Sequence, residues 1–445
     1  MDAVTAAIAA ALRQGRAGAV ATITRTRGST YRKAGARMWI PAAGDPVGSL
    51  SGGCLEGDVV AVAAEVLATG RPRRVGYDMT ADDDALWGLG LGCNGAVEVL
   101  IEPLQPGLGS ILARREAGER LALVVPLPPL EPRDPMGAGP GPAGGGEAGG
   151  PGAGSRTDEP GPGPAPGCGT GWPGAGPPVG LGGGAAPPAA AARGGDGGGR
   201  SLVVAAGGGT EGSLGDPALD ARLAELAREW LAAGRTGTVA LEGAGEFFIE
   251  AVLPPPVLLV CGAGHDALPV VEAAAPLGYE VVVVDSRPAF ARAERFPKAR
   301  RVVRCHPEDL NQAVTLDDRT FVVIMTHNFL QDAGFLAAVA RSPVRYIGLL
   351  GPRRRAERLM EELRQRGIEL AAEERARLHA PVGLDIGGES PEEIACSLLA
   401  EIQAVRYGRP AGFLRDRQGP IHPRDGEVAP TDAEAAPTEE ERLRR

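Results

Sequence analysis

A chain of 445 residues with 43% hydrophobic content has room for two or three domains with real cores, but 67 glycines and 40 prolines exceed what a compact fold of that size uses. A net charge of −10 and a pI near 5.3 argue against general nucleic-acid affinity, and no apolar run reaches transmembrane length. Six scattered cysteines without a CxxC pair exclude a disulfide framework and a zinc site, and the absence of a basic leader at the N-terminus makes a cytoplasmic protein the expectation.

In chain order, MDAVTAAIAAALRQG reads as a short amphipathic helix, and GAVATIT (from Gly18) and ARMWIPAAG (from Ala36) as strands separated by the irregular loop TRGSTYRKAGA. GSLSGGCLEGDVVAVAAEVLATGR, from Gly48, is a turn followed by a helix. Its residues Leu55, Val59, Val62, Val66 and Leu67 follow the 3,4 spacing of one buried face. An insertion ending LGLGCNG then leads into the strand VEVLIEP, from Val97.

The same order returns. RLALVVP (from Arg120) and RSLVVAAGG (from Arg200) read as strands, and EFFIEAV (from Glu246) answers VEVLIEP. Between them GSLGDPALDARLAELAREWLAAGR, from Gly212, repeats the earlier turn and helix at an offset of 164. Leu219, Leu223, Leu226, Trp230 and Leu231 hold the equivalent apolar positions. Residues 1–255 are therefore expected to form one domain built from an internal α/β duplication. Residues 129–199, almost all Gly, Pro and Ala, lack the apolar side chains needed to offset the entropy of ordering, and are expected to be a disordered, dispensable insertion in copy two.

Copy one alone carries TRGSTYRKAGA, the insertion ending LGLGCNG, and Gly52-Gly53-Cys54 where copy two has Asp216-Pro217-Ala218. Irregular loops on a regular frame are where function concentrates. Gly52 and Gly53 offer backbone N–H groups at the positive end of a helix dipole, and the same dipole makes Cys54 a candidate thiolate. Arg32 and Lys33, in the glycine-bounded loop with Ser29, add cationic donors, and Cys93, between Gly92 and Asn94, is a second thiol for the same pocket. The plainer alternative for both cysteines is a small buried hydrophobe. Glu56 either caps the turn or orients a ligand.

From Val257 the pattern becomes strand, Gly-rich turn, helix, strand, so 256–407 is expected to be a Rossmann-type, doubly wound parallel sheet, with 408–445 a disordered tail. Gly262 permits the tight turn, Gly264 lets backbone approach a pyrophosphate beside His265, and Ala267 holds the third fingerprint position. Asp285 is placed to accept hydrogen bonds from a ribose, which favours NAD over NADP, although Arg287 leaves room for a 2′-phosphate. Strands RRVVRC, FVVIMTHNFLQD and VRYIGLLGPRRR follow. His327 and Asp332 lie beyond the carboxyl end of the second of these, and Gly351 stands beside an arginine run at a helix start, a candidate anion site. Against these readings stand a fold that kept its turn but binds nothing, a capping role for His327 and a solvated first turn for the arginines. Ser390-Pro391-Glu392-Glu393 is a capping box that starts the last helix.

GSTYRKAGARM, VGSLSGGCLEGDV, LGCNGAVEVLIEP, CGAGHDA, VVVVDSRPAFA, THNFLQD, RYIGLLGPRRR and HAPVGLDIGGESPEEIACSLLAEI occur in that order. Together they resemble the XdhC/CoxI family of accessory proteins for molybdenum hydroxylases. The resemblance implies an N-terminal XdhC/CoxI domain, a Rossmann domain, and a chaperone more than a turnover enzyme. Such a chaperone binds molybdenum cofactor, as molybdopterin or its dinucleotide form, supports its sulfuration and delivers it to an apo molybdenum hydroxylase of the xanthine or carbon-monoxide dehydrogenase type. It implies a cysteine desulfurase-type sulfur donor and a homodimer, with neither nucleic acid nor membrane as partner, and it makes Cys54 the candidate contact to molybdenum or its sulfido ligand. The alternative is an NAD(P)-dependent oxidoreductase whose N-terminal domain handles substrate.

Overall fold

The structure, a computed structural model, describes residues 3–79, 95–133 and 201–417. Copy one comprises helix Ala3–Gln14, β1 (Gly18–Gly28), β2 (Arg37–Pro41), helix Glu56–Thr69, β3 (Arg73–Asp78) and β4 (Gly95–Pro103). Copy two comprises helix Pro106–Glu116, β5 (Leu121–Pro126), β6 (Leu130–Arg133), β7 (Leu202–Ala205), β8 (Thr210–Gly212), helix Pro217–Ala233, β9 (Gly237–Leu241) and β10 (Gly245–Val252). The two sheets run β2-β1-β4-β3-β6 and β8-β7-β5-β10-β9, so four core strands follow the same spatial order in each. The duplication reaches single pairs: the bridge Trp39–Val47 in copy one is the Val203–Glu211 pair of the β7–β8 hairpin in copy two, at the same offset.

Each central strand is buried on both faces, as its unbroken apolar run requires. In β1, Ala19, Ala21 and Ile23 pack against Val59, Val62 and Val66, while Val20 faces Ile8 and Ala11 of the first helix. In β5, Ala122 and Val124 face Leu223, Ala227 and Trp230, while Leu121 and Leu123 face Ile111. Both buried helices stop on a left-handed glycine, Gly70 (φ 68°) and Gly234 (φ 63°), a conformation that costs glycine least.

One expectation is corrected. The start of the 129–199 stretch is a strand: β6 pairs in parallel with β3, from Arg74–Leu130 to Tyr77–Arg133, at the edge of the copy-one sheet. Arg73–Glu131 and Arg133–Asp58 ion pairs hold it there, so polar side chains supply what an apolar pattern does not. Residues 134–199 lie outside the described residues.

Sheet three is all parallel, with β11 (Val257–Cys261), β12 (Glu280–Asp285), β13 (Arg301–Arg304), β14 (Thr320–Ile324), β15 (Tyr346–Leu349) and β16 (Leu378–His379) in the order β13-β12-β11-β14-β15-β16. This is the doubly wound order of a Rossmann fold, whose ligand crevice opens where the order reverses, between β11 and β14. Helices Ala267–Ala274 and Pro391–Tyr407 cover one face, and Phe329–Val339 and Arg353–Gln365 the other. The last helix begins as its sequence demands: Ser390 Oγ accepts from Glu393 N–H, and Glu393 accepts from Ser390 N–H in return. No helix among the described residues is long and apolar enough to cross a membrane.

Candidate functional site

Three segments particular to copy one meet beyond the end of β1. Gly28 pairs with Gly95, the last residue of the LGLGCNG segment. A Cβ on Gly95 would stand 2.5 Å from the Ser29 carbonyl oxygen, so the insertion returns past this loop only as glycine. The Tyr31 ring of the same loop lies 3.7 Å from where a Cβ on Gly52 would sit, which brings the loop to the helix entrance. Ser29, Arg32, Lys33, Gly52 and Gly53 are exposed there, and Cys54 is half-buried against the copy-one core. Arg32 also lines a cavity of about 270 Å³ together with Arg37 and Glu250. Cys93 lies outside the described residues.

The turn 49–55 does not present its backbone donors outward as an anion cradle, which corrects the expectation for Gly52 and Gly53. Gly52 N–H donates to Ser49 Oγ (2.9 Å) and Gly53 N–H to Glu56 Oε2 (2.9 Å). The Glu56 carboxylate also accepts from both serine hydroxyls, Ser49 and Ser51 (2.6 Å each), and from the backbone N–H groups of Leu50, Ser51 and Leu55. Burial pushes this carboxyl up, but the serine and backbone donors outweigh it and hold the group well below the usual carboxylate range. Glu56 therefore caps the turn. Copy two confirms the role: Asp220, at the same repeat position, accepts from Ser213 Oγ (2.6 Å) and Leu214 N–H (2.8 Å). The sequence carries this signal, since Ser49 and Ser213 coincide as Glu56 and Asp220 do.

What copy one adds is the opening. In copy two, Asp216 accepts from Ala218 and Leu219 N–H and the helix begins at Pro217. In copy one the helix begins only at Glu56, with Leu55 at the cap making no side-chain hydrogen bond. Gly52 (φ 83°) and Gly53 (φ 123°) take left-handed conformations there, and a Cβ on Gly53 would meet nothing within 4 Å. The result is a half-buried thiol beside open glycine backbone and an exposed cationic loop. Among the described residues no group of three His, Cys, Asp or Glu is arranged to hold a metal ion.

At the carboxyl edge of the parallel sheet the fingerprint residues come together, but they bond to one another. Gly262 (φ 121°) is required because a Cβ would meet the Met325 carbonyl oxygen at 2.6 Å. Asp285 is 3% exposed and accepts from Ala263 N–H (2.8 Å), Arg287 N–H (2.8 Å) and the Arg287 Nε and Nη2 groups (2.9 and 2.7 Å). Burial raises its pKa, but these bonds outweigh it and hold the carboxyl low. Its acceptor sites are filled by the chain, which corrects the reading of Asp285 as an open ribose acceptor. Arg287 in turn lies over the Phe290 ring at 3.9 Å, and His265, exposed, meets the same ring edge-on.

Gly264 has a different reason to lack a Cβ from the one its motif suggests: the atom would collide with Asp266 Oδ1. That carboxylate stands at the helix N-terminus, where a pyrophosphate needs positive charge, and it faces His327 Nε2 at 2.7 Å. His327 is exposed and left-handed (φ 59°). Asp332 is buried, accepting from Thr326 N–H and hydroxyl and from Arg355 Nε and Nη2, so it ties β14 to the following helices and is not open to a ligand. Gly351 (φ 127°) leaves space for the Arg355 side chain to make that reach.

Comparisons with known proteins agree with this geometry. Residues 11–78 match the model described as the XdhC and CoxI family, and residues 258–402 the model described as the XdhC Rossmann domain. A Bacillus subtilis protein described as a probable xanthine dehydrogenase subunit is 27% identical over 391 residues, covering 87% of this chain and 92% of its own. The Escherichia coli molybdenum cofactor insertion chaperone PaoD is 26% identical over 149 residues, 34% of this chain and 40% of its own. A crystal structure described as a xanthine dehydrogenase from Bacillus halodurans superposes with a TM-score of 0.63 at 26% identity, covering 93% of this chain and 98% of that one. Two segments of the chain, 11–78 and 258–402, are thus similar, in that order, to the XdhC and CoxI family and to the XdhC Rossmann domain.

Proposed function

We propose that the chain is an accessory protein of molybdenum hydroxylase maturation: it binds molybdenum cofactor as cargo, supports its sulfuration and passes it to an apo-hydroxylase. The observation that carries this reading is the asymmetry between two copies of one scaffold. Only copy one opens its helix entrance, sets Cys54 there and surrounds it with loops bearing Ser29, Arg32 and Lys33. The PaoD relative, described as a molybdenum cofactor insertion chaperone, supports the same direction. The cargo brings a soft, dithiolene-bound metal and an anionic phosphate. A thiol suits the first and the cationic loop the second. In this reading Gly52 and Gly53 give access to Cys54 and do not ligate the phosphate. A cysteine desulfurase-type donor supplies the sulfur, and the receiving partner is of the xanthine dehydrogenase kind.

The oxidoreductase reading has one specific observation in its favour, the doubly wound sheet with its GxGxxA turn. Against it stand the filled Asp285 carboxylate and the Asp266 carboxylate at the pyrophosphate position. Purification of the chain from cells that make molybdenum cofactor tests the choice. Bound material that oxidises to a fluorescent pterin supports the chaperone; stoichiometric nicotinamide without pterin supports the oxidoreductase and refutes the chaperone.

A further inference from the structure

A cavity of about 290 Å³ lies between the two repeats, near the lower end of the roughly 300–1,000 Å³ typical of small-molecule sites. Val20, Ile111, Leu123 and Val203 give it apolar walls from both copies. Of the charged groups that line it, Arg37 is held by both oxygens of Glu250, and Arg114 is paired with Glu119 and Glu211. Glu102 is different. It lines the cavity half-buried, and its carboxylate has no hydrogen-bond partner among the described residues. A carboxylate that lines a cavity without donors from the chain is left to accept from what enters it.

The duplication supplies a comparison for this acid. Val20 in β1 pairs with Trp39 and Glu102; Leu123 in β5 pairs with Val203, at the repeat position of Trp39, and with Glu250. The counterpart of Glu102 is therefore Glu250, whose two oxygens Arg37 holds, whereas Glu102 has no such donor among the described residues. The cavity shares Arg37 and Leu108 with the one of about 270 Å³, which reaches Arg32 on the loop that sets Tyr31 against Gly52.

We propose that this cavity seats the heterocycle of the cargo, with the Glu102 carboxylate accepting the adjacent ring N–H and amino N–H of a 2-amino-4-oxo pyrimidine edge while apolar side chains of both copies cover the ring faces. This rests on the reading of the cargo as a pterin. A carboxylate is the side chain that matches two parallel donors. Burial also pushes the Glu102 carboxyl up to about 7, with Arg37 opposing and Glu250 adding to the rise, so a donor pair arriving there draws the group toward its ionised form.

Fluorescence titration of the full chain with 6-hydroxymethylpterin tests the assignment, with thermal melts on the same samples. The unaltered protein binds the pterin, and Glu102→Ala weakens it by about tenfold or more at an unchanged or raised melting point. Glu102→Gln, which keeps the shape but loses one acceptor, falls between. A lumazine, whose 2-oxo group replaces the amino donor, binds weakly to all three. Absence of pterin binding by the unaltered protein, or equal affinity in a folded Glu102→Ala variant, overturns the proposal. Guanosine monophosphate carries the same edge on a larger body. If it binds as tightly as the pterin with the same dependence on Glu102, the cavity is a guanine site and the pterin assignment falls. Cofactor retention separates this inference from the functional reading: a Glu102→Ala variant that keeps full cofactor and full pterin affinity removes only the inference, whereas an unaltered chain that retains no cofactor removes the function itself.

Discussion

Copy one and copy two are built on the same strand order, the same apolar face and the same capping carboxylate, yet their helix entrances differ. Pro217 stands at the repeat position of Gly53, so copy one starts its helix three residues later than copy two and leaves a loop where copy two has a capped first turn. An Asp cap of the copy-two kind contributes about 1 kcal/mol to a helix. Copy one forgoes it and gains an accessible Cys54. Features present in both copies, such as Glu56 with Asp220, explain the architecture. Those present in one, Cys54 among them, are where a ligand is to be sought.

The largest effect is expected where the copies join. Arg74, almost fully buried, donates to Glu98 in its own sheet and to Glu246 in the other. Arg74→Ala leaves Glu98 and Glu246 with Arg25 as their remaining cation and should cost about 3 kcal/mol in denaturant unfolding. A loss below about 1 kcal/mol would mean that the copies are held together by other contacts.

Glu56→Gln should cost about 2 kcal/mol and Asp220→Asn about 1, because six donors converge on the first and two on the second. The pH dependence follows from the depressed Glu56 pKa. Its stabilisation is fully present above the unfolded-state carboxylate range and fades as pH falls through that range toward the folded value. Melts of Glu56→Gln should therefore lose part of the acid sensitivity of the parent; equal acid sensitivity would remove Glu56 from the account.

The smallest effect is a gain. Grafting the copy-two entrance into copy one, as Gly52→Asp with Gly53→Pro and Cys54→Ala, should restore the cap and raise stability by about 1 kcal/mol while abolishing cofactor retention. A graft that still retains cofactor would mean that the opening is not the site.

Much of this fold is legible in the sequence because the signals are periodic. The 164-residue offset aligns two apolar helix faces, and strand, Gly-rich turn, helix and acid announce the parallel sheet. What is not legible has no period. β6 is Leu-Glu-Pro-Arg, a polar tetrapeptide held by ion pairs to residues of the other copy. β16 is two residues long. The spacing that places Asp285 is the same whether its carboxylate is open or, as here, filled by Arg287. Tyr31, Asp266 and Arg355 matter through contacts that no motif records. Glu102 differs again, since strand pairing sets it opposite Val20 as Glu250 stands opposite Leu123, and only the three-dimensional contacts show that Arg37 holds the second acid and not the first.

The measurement closest to the central claim is Cys54→Ala, assayed on one sample for cofactor retention, transfer to an apo-hydroxylase and thermal stability. Copy two builds the equivalent turn with Ala218, so the scaffold does not depend on sulfur at that position. The account predicts an intact melting point with retention and transfer lost. A lowered melting point with transfer unchanged would identify Cys54 as a packing residue, since removal of a buried group leaves a cavity, and would contradict the assignment of the site to copy one's helix entrance.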